Sequence, residues 1–206
     1  MRKTALILAG GKSLRFQSLD KCFMRLHNKP LILHAIDNLA QVADEIIVAA
    51  RDEEQKNLIR ARMPDSVLLV CDSVKGFGPL AGILSGLERA SFPYSLVIGC
   101  DMPFVTEEVV ALLFEVAARG EYDAVVPIWE NGMLEPLHAV YKKEPMVAAI
   151  HEAVKQGDKQ ILKVIRQLKK VYFIEVKELR GLDSELKTFR NINTPEELRS
   201  AHQYVE

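Results

Sequence analysis

Thr4-Ala5-Leu6-Ile7-Leu8-Ala9-Gly10-Gly11-Lys12-Ser13-Leu14-Arg15-Phe16 stands near the start of the chain: an unbroken apolar run, then two glycines, then cations. A strand apolar at every position is buried on both faces, as in the interior of a parallel sheet. Thr4–Leu8 therefore reads as a first strand. Ligands of open α/β sheets bind outside the carboxyl ends of the strands, so the loop that follows is where chemistry is expected. Outward from this stretch, short apolar runs alternate with longer amphipathic ones, which marks βαβ units and an α/β fold with a mainly parallel sheet. Strands are expected at Glu45–Ala49, Val67–Val70, Ser95–Gly99, Asp123–Pro127 and Val171–Val176. Helices are expected from Pro30 to Gln41, Glu53–Arg62, Leu80–Ala90, from a Thr106 cap onward, Glu144–Gln156 and Lys159–Leu168. A last helix starts from the capping box Thr194-Pro195-Glu196-Glu197. Asn131-Gly132 is a hairpin signal, so the strand near Leu137–Tyr141 is expected to run antiparallel in the C-terminal half.

The 206 residues suit a single domain spanning 1–206, since no linker-like stretch divides them. The net charge of −1 makes the molecule no general attractor of nucleic acid or membrane surfaces, and no nucleic-acid or membrane partner is expected. The apolar run at the N-terminus is too short for a signal peptide, and Cys22, Cys71 and Cys100 form neither a Cys-x-x-Cys pair nor a disulfide framework. A cytoplasmic location is the expectation. From Met1 to Ile36 seven basic residues face one acid, Asp20; they are either a solvated surface or the approach to a polyanion.

Two familiar phosphate motifs fail on the first loop. Gly11-Lys12-Ser13 resembles the end of a P-loop, but Leu6 stands where the motif needs glycine. A dinucleotide fingerprint fails as well, because no glycine follows Gly11 until Gly76. What remains is a glycine pair with Lys12, Arg15 and Lys21 nearby. Such a loop lets backbone N–H groups approach a phosphate, although a tight turn with exposed basic residues also accounts for it. Asp101, after the Ser95–Gly99 strand, is a natural Mg²⁺ ligand in a phosphate-binding chain, with a plain capping role as the alternative. Asp72 is either a turn residue or a nucleotide contact.

Taken in order, Leu8-Ala9-Gly10-Gly11-Lys12-Ser13 with Arg15-Phe16 and Asp20-Lys21, Gly78-Pro79-Leu80-Ala81-Gly82-Ile83, Cys100-Asp101-Met102-Pro103-Phe104 and Asn191-Ile192-Asn193-Thr194-Pro195-Glu196-Glu197-Leu198 resemble the signatures of molybdenum cofactor guanylyltransferases of the MobA type. The resemblance covers essentially the whole chain. It implies a Rossmann-like three-layer α/β/α fold, with the nucleotide over the N-terminal half and the pterin over the C-terminal half. It further implies Mg²⁺-dependent transfer of GMP from GTP to the terminal phosphate of molybdopterin, or of its molybdenum form. It also implies nucleotide binding by Leu8, Ala9, Gly10, Gly11, Lys12, Lys21, Asp72 and Asp101, with catalysis by Lys21, Asp101 and Arg15. Asp101 would hold the metal, and Asn191, Asn193 and Lys159 would lie on the acceptor side. Cofactor-delivery proteins or molybdoenzyme apoproteins are further implied partners. Related cytidylyltransferases carry Leu-Ala-Ala-Gly in the first loop, so Gly10 sides with the guanylyl branch. Ala49-Ala50-Arg51 and Gln17-Ser18 depart from the family pattern. The competing readings are a cytidylyl or other NTP transferase on a related phosphorylated acceptor, and a non-catalytic GTP-binding carrier. Lys155, Lys159, Lys163 and Arg166 would form one basic stripe if their helix continued across Gly157.

Overall fold

The computed structural model describes residues 1–10 and 21–202. Gly11, Lys12 and Arg15 lie outside the described residues. The first strand, β1 (Thr4–Leu8), is buried along its whole length. Its side chains alternate between two cores: Ala5 and Ile7 enter one, Leu6 and Leu8 the other. That alternation is why the run is continuously apolar, since a strand covered on both faces has no polar side to show.

A two-stranded hairpin of β2 (Arg25–Leu26) and β3 (Lys29–Pro30) precedes α1 (Leu31–Leu39). Then follow β4 (Glu45–Ala50), α2 (Glu53–Arg60), β5 (Leu68–Cys71), α3 (Pro79–Arg89), β6 (Tyr94–Gly99) and α4 (Glu107–Arg119). The C-terminal half holds β7 (Ala124–Ile128), β8 (His138–Lys142), α5 (Lys143–Lys155), α6 (Ile161–Gln167), β9 (Val171–Glu175) and α7 (Pro195–Ala201). The main sheet has seven strands in the order β5-β4-β1-β6-β8-β7-β9. Only β8 runs against its neighbours, β6 and β7, as the Asn-Gly turn predicted. Gly132, at φ +82°, closes that turn by donating its N–H to the Trp129 carbonyl.

Helices α1, α2 and α4 cover one face of the sheet, while α3, α5 and α6 cover the other, giving three layers. The chain adds β4 and β5 on one side of β1, then crosses to β6 on the other. The carboxyl ends of β1, β4, β5 and β6 thus surround a topological switch point, where such sheets open a crevice. A small third cluster of Met24, Leu26, Leu31, Ile192 and Ala201 joins the N-terminal hairpin to α7.

Three expectations need correcting. Pro30 is not in the first helical turn; it ends β3 and precedes α1, which the hairpin leads into. Thr106 occupies the N-cap of α4, but its hydroxyl does not cap the helix and donates instead to Asp183 at 3.0 Å. The same carboxylate oxygen accepts the Thr188 N–H at 2.8 Å, and the Thr188 hydroxyl meets His138 Nε2 at 3.2 Å. Burial pushes His138 down to about 4, so it is neutral in this network. Together these groups fasten the segment before Asn191 to α4 and β8. Finally, the basic stripe does not exist. Gly157, at φ +72°, breaks the helix after α5, and Lys163 pairs with Asp158 at 2.8 Å while Lys155 pairs with Glu152.

Candidate active site

Asp101 follows β6 and is fixed from several directions. The preceding peptide N–H, of Cys100, donates to the Leu8 carbonyl at 3.1 Å, and the Asp101 carbonyl accepts from Ile192 N–H at 2.8 Å. The Asp101 carboxylate folds back over Gly99, where an added Cβ would collide with Oδ1. Gly99 is therefore a requirement of the carboxylate's position. Lys21, in the single helical turn Lys21–Phe23, sends its ammonium to Asp101 Oδ2 at 3.4 Å and to Asn193 Oδ1 at 2.6 Å. Lys21 and Asp101 keep about a quarter and a fifth of their side chains exposed, so an incoming anion can reach the ammonium and a cation the carboxylate.

Asn193 is held by the capping box. Glu197 Oε2 accepts the backbone N–H of both Asn193, at 2.6 Å, and Thr194, at 3.0 Å, while Thr194 Oγ1 accepts the Glu197 N–H. Sequence reasoning gave the capping box a purely structural role. The structure adds a positioning one, since Glu197 sets the backbone that aims Asn193 at Lys21.

A second cleft, of about 330 Å³, opens between β1, β4, β5 and α3, lined by Leu8, Gly10, Ala49, Arg51, Asp72, Gly78, Pro79 and Gly82. Gly78, at φ +55°, gives the chain its entry into α3, with Pro79 as the first helical residue. The absent side chain of Gly82 leaves room for Leu8, Ala49 and the Asp72 carboxylate, which all approach it closely. Gln55 was not singled out in the sequence, yet it clamps this cleft. It is fully buried, its Oε1 accepts the Arg51 N–H at 2.9 Å, and its Nε2 donates to the Ala9 carbonyl at 3.0 Å. Arg51 Nε donates to Asp52 at 3.1 Å, which steadies the guanidinium at the cleft wall.

Asp72 is pushed up to about 6, first by burial and then by the charge of Asp52. A carboxyl whose folded pKa lies above its unfolded value of 3.8 costs stability once it ionises in the folded state. That cost is absent below the unfolded value and complete above the folded one. Asp72→Asn is accordingly expected to raise the thermal midpoint by about 2–4 °C at about pH 7.5. The gain should shrink toward about pH 5, while nucleotide affinity falls. Thermal unfolding of both proteins at the two pH values measures it; a gain that grows on acidification contradicts the assignment.

The predicted site residues are thus sorted into groups. Lys21, Asp101 and Asn193 meet directly, while Leu8, Gly10 and Asp72 line the adjoining cleft. Ala9 supplies the carbonyl that Gln55 holds and donates its own N–H to the Ala49 carbonyl at 2.9 Å. Asn191 and Lys159 do not join Asn193. Asn191 is exposed and lines a hollow with Phe104, Arg190 and Glu196. Lys159 lies over the Phe77 ring at 5.6 Å, beside the Gly76 loop that leads to α3. Cysteine chemistry has no place here. Cys100 is pushed well up by its hydrogen bond to Cys22 and by burial, and Cys71 is raised to about 11 by burial and Glu53, so both thiols stay protonated.

Magnesium prefers one or two carboxylates supplemented by phosphate oxygens. The described residues hold no cluster of three or more His, Cys, Asp or Glu side chains suited to a metal. A single carboxylate with an adjoining carboxamide oxygen, Asp101 with Asn193, fits an ion that arrives on a nucleotide, not one caged by protein alone.

This sequence and this fold have known relatives. A model of the MobA-like NTP transferase domain matches residues 5–171. The chain is 40% identical over 202 residues to a Methanosarcina mazei protein described as "Probable molybdenum cofactor guanylyltransferase", covering 96% of this chain and 89% of that one. It is 32% identical over 203 residues to a molybdenum cofactor guanylyltransferase of Desulfosudis oleivorans, covering 98% and 96%. Among solved structures, the molybdopterin-guanine dinucleotide biosynthesis protein A of Archaeoglobus fulgidus superposes with a TM-score of 0.85 at 30% identity, covering 98% of this chain and 97% of that one.

Proposed function

The chain belongs to the molybdenum cofactor guanylyltransferases, within the MobA-like NTP transferase family, and as a nucleotidyltransferase of that kind we propose that it moves GMP from GTP onto the terminal phosphate of molybdopterin. The observation that carries this reading is the meeting of Lys21, Asp101 and Asn193 beyond the end of β6, next to β1, whose Leu8 lines the cleft with Gly10 and Asp72. One part can hold phosphates and the other a base and ribose. An oxygen of the acceptor phosphate attacks the α-phosphorus of GTP, and the bond from that phosphorus to the bridging oxygen breaks, releasing pyrophosphate. No covalent enzyme intermediate is required.

The protein's work is to position two polyanions and to stabilise charge as it moves toward the leaving group. The Lys21 ammonium faces the phosphates and is oriented by the Asn193 carboxamide. Asp101, fixed over Gly99, keeps that ammonium and the reacting groups in register. When bound, Mg²⁺ would be held by the Asp101 carboxylate with Asn193 adjoining, and would neutralise phosphate charge as a Lewis acid. In the cleft, an ionised Asp72 can accept the N1–H and 2-amino hydrogens of guanine, and the Arg51 guanidinium can donate to O6 and N7. Cytosine offers no such donor pair.

The test is pyrophosphate release from each of the four NTPs with Mg²⁺, with and without molybdopterin. Release from GTP alone, and only with the pterin present, is expected. Release from CTP moves the enzyme to the cytidylyl branch, and binding of GTP without release makes it a carrier. No helix among the described residues is long and apolar enough to cross a membrane. We also propose a cytoplasmic setting, in which delivery proteins or recipient apoenzymes meet the product.

A further inference from the structure

We infer that Asp183, which belongs to none of the sequence motifs, is a positioning residue for the transfer step: its carboxylate sets the register between the segment that carries Asp101 and the segment that carries Asn193. The inference rests on the guanylyl-transfer reading above. Among the described residues Asp183 is the one acidic side chain that is buried, with 8% of its surface exposed. A buried carboxylate is costly unless its oxygens are hydrogen-bonded. Its Oδ2 accepts the Thr106 hydroxyl at 3.0 Å and the Thr188 N–H at 2.8 Å. Thr106 stands five positions after Asp101, and Thr188 five positions before Asn193. One oxygen therefore joins the two stretches of chain that build the reacting centre.

The join is repeated along both stretches. Thr106 N–H donates to Thr188 Oγ1 at 3.1 Å, and further on the Ile192 N–H donates to the Asp101 carbonyl at 2.8 Å. The two segments are thus pinned at both ends, Thr106 to Thr188 and Asp101 to Ile192. Asn38, on α1, fixes the middle of the first by donating to the Pro103 carbonyl at 3.1 Å. Ile192, in the second, is buried against Met24, Leu26 and Leu31. Sliding one segment along the other breaks these bonds together, and it moves Asn193 relative to the Lys21 ammonium and to Asp101.

The turn that delivers Asp183 is held in a strained form. Leu186 sits at φ +52°, a left-handed conformation rare for a bulky residue, and its N–H donates to the Asp183 carbonyl at 3.0 Å. Such backbone persists only where its surroundings over-determine it, and it gathers at sites where exact placement matters. Buried polar networks likewise contribute register more than stability. Displacing a reacting group by about 1 Å can cost about 10²-fold in rate. A register error too small to unfold the protein is therefore large enough to slow it. The nucleotide cleft stands outside this linkage, since Gln55 holds its wall through the Arg51 N–H and the Ala9 carbonyl. The effect of Asp183 thus belongs in kcat and not in the affinity for GTP.

Asp183→Ala is expected to lower kcat about tenfold, with KM for GTP within about twofold of the wild type. Asp183→Asn should recover most of that loss, because a carboxamide oxygen can accept both bonds. In an Asn193→Ala background, Asp183→Ala should cost only about twofold more, since the two act through one contact. Thr106→Val removes one donor and keeps the shape of the side chain, and is expected to lower kcat about threefold. If Asp183→Ala does not fold, Thr106→Val and its combination with Asn193→Ala carry the same comparison. A purely structural Asp183 would lower the thermal midpoint of these variants and leave kcat unchanged well below it. That result, or losses that multiply fully with Asn193→Ala, overturns the proposal. Should the wild type transfer no GMP to molybdopterin, the guanylyl-transfer reading fails on its own, and the side-chain amide of Asn193 decides the register. Its ¹⁵N-edited NMR signals are expected to shift in Asp183→Ala and Thr106→Val and to hold in Asp183→Asn; unmoved signals in the first two overturn the role of Asp183.

Discussion

Asp101→Asn is expected to lower kcat by about 10³-fold at saturating magnesium, with thermal stability close to that of the wild type. The substitution keeps the size of the side chain and its place over Gly99 while removing the charge that faces Lys21. Stability should hold because a partly exposed ion pair contributes about 1 kcal/mol or less. Turnover should not, because the carboxylate acts where phosphate charge is redistributed and where an ion bound to the nucleotide needs a hard anionic donor. Single-turnover kinetics separate this from a binding defect, since the loss should appear in the chemical step. A variant that works at near-normal rates when magnesium is raised would falsify the role given to Asp101.

Removal of Lys21 should cost about 10²–10³-fold in kcat, the range found when a single preorganised donor to a transition-state oxyanion is deleted. Lys21→Arg should recover little, because a planar guanidinium cannot keep both the Asp101 and the Asn193 contact made by a compact ammonium. The more telling comparison is with Asn193→Ala. Alone it is expected to lose about tenfold by letting the ammonium wander, yet in a Lys21→Ala background it should lose almost nothing. Additive losses in the double variant would mean that Asn193 acts on substrate independently of Lys21. Pre-steady-state rates of all four proteins decide between these outcomes.

Much of this was legible in the residues because it depends on local pattern. The unbroken run Ala5–Leu8 announced a doubly covered strand, Asn131-Gly132 announced the reversal of β8, and Thr194-Pro195-Glu196-Glu197 announced the start of α7. Lys21, Asp101 and Asn193 were found through motifs, and the fold brings all three into contact. What escaped depends on tertiary partners. Gln55 sits in a helix rich in charge and looks like surface, but its amide is the only side chain bridging the Arg51 N–H and the Ala9 carbonyl among the described hydrogen bonds. Thr106 has the residue type and place of a cap, yet a distant carboxylate, Asp183, offers its hydroxyl a better acceptor. The spacing of Lys155, Lys159, Lys163 and Arg166 suggested a stripe that one positive φ at Gly157 dissolves. Asn191 and Asn193 look equivalent in sequence. Only Asn193 meets Lys21, while Asn191 is exposed beside a separate hollow, a difference set by the tertiary path of the segment.

The Lys21–Asn193 contact spans 172 positions of the chain. During synthesis, the nucleotide cleft assembled from β1, β4, β5 and α3 can be complete long before Asn193 leaves the ribosome. The contact that orients the ammonium therefore arrives last, with the docking of α7. Prying this terminal helix away would cost the finished protein at least the roughly tenfold in turnover expected of Asn193→Ala.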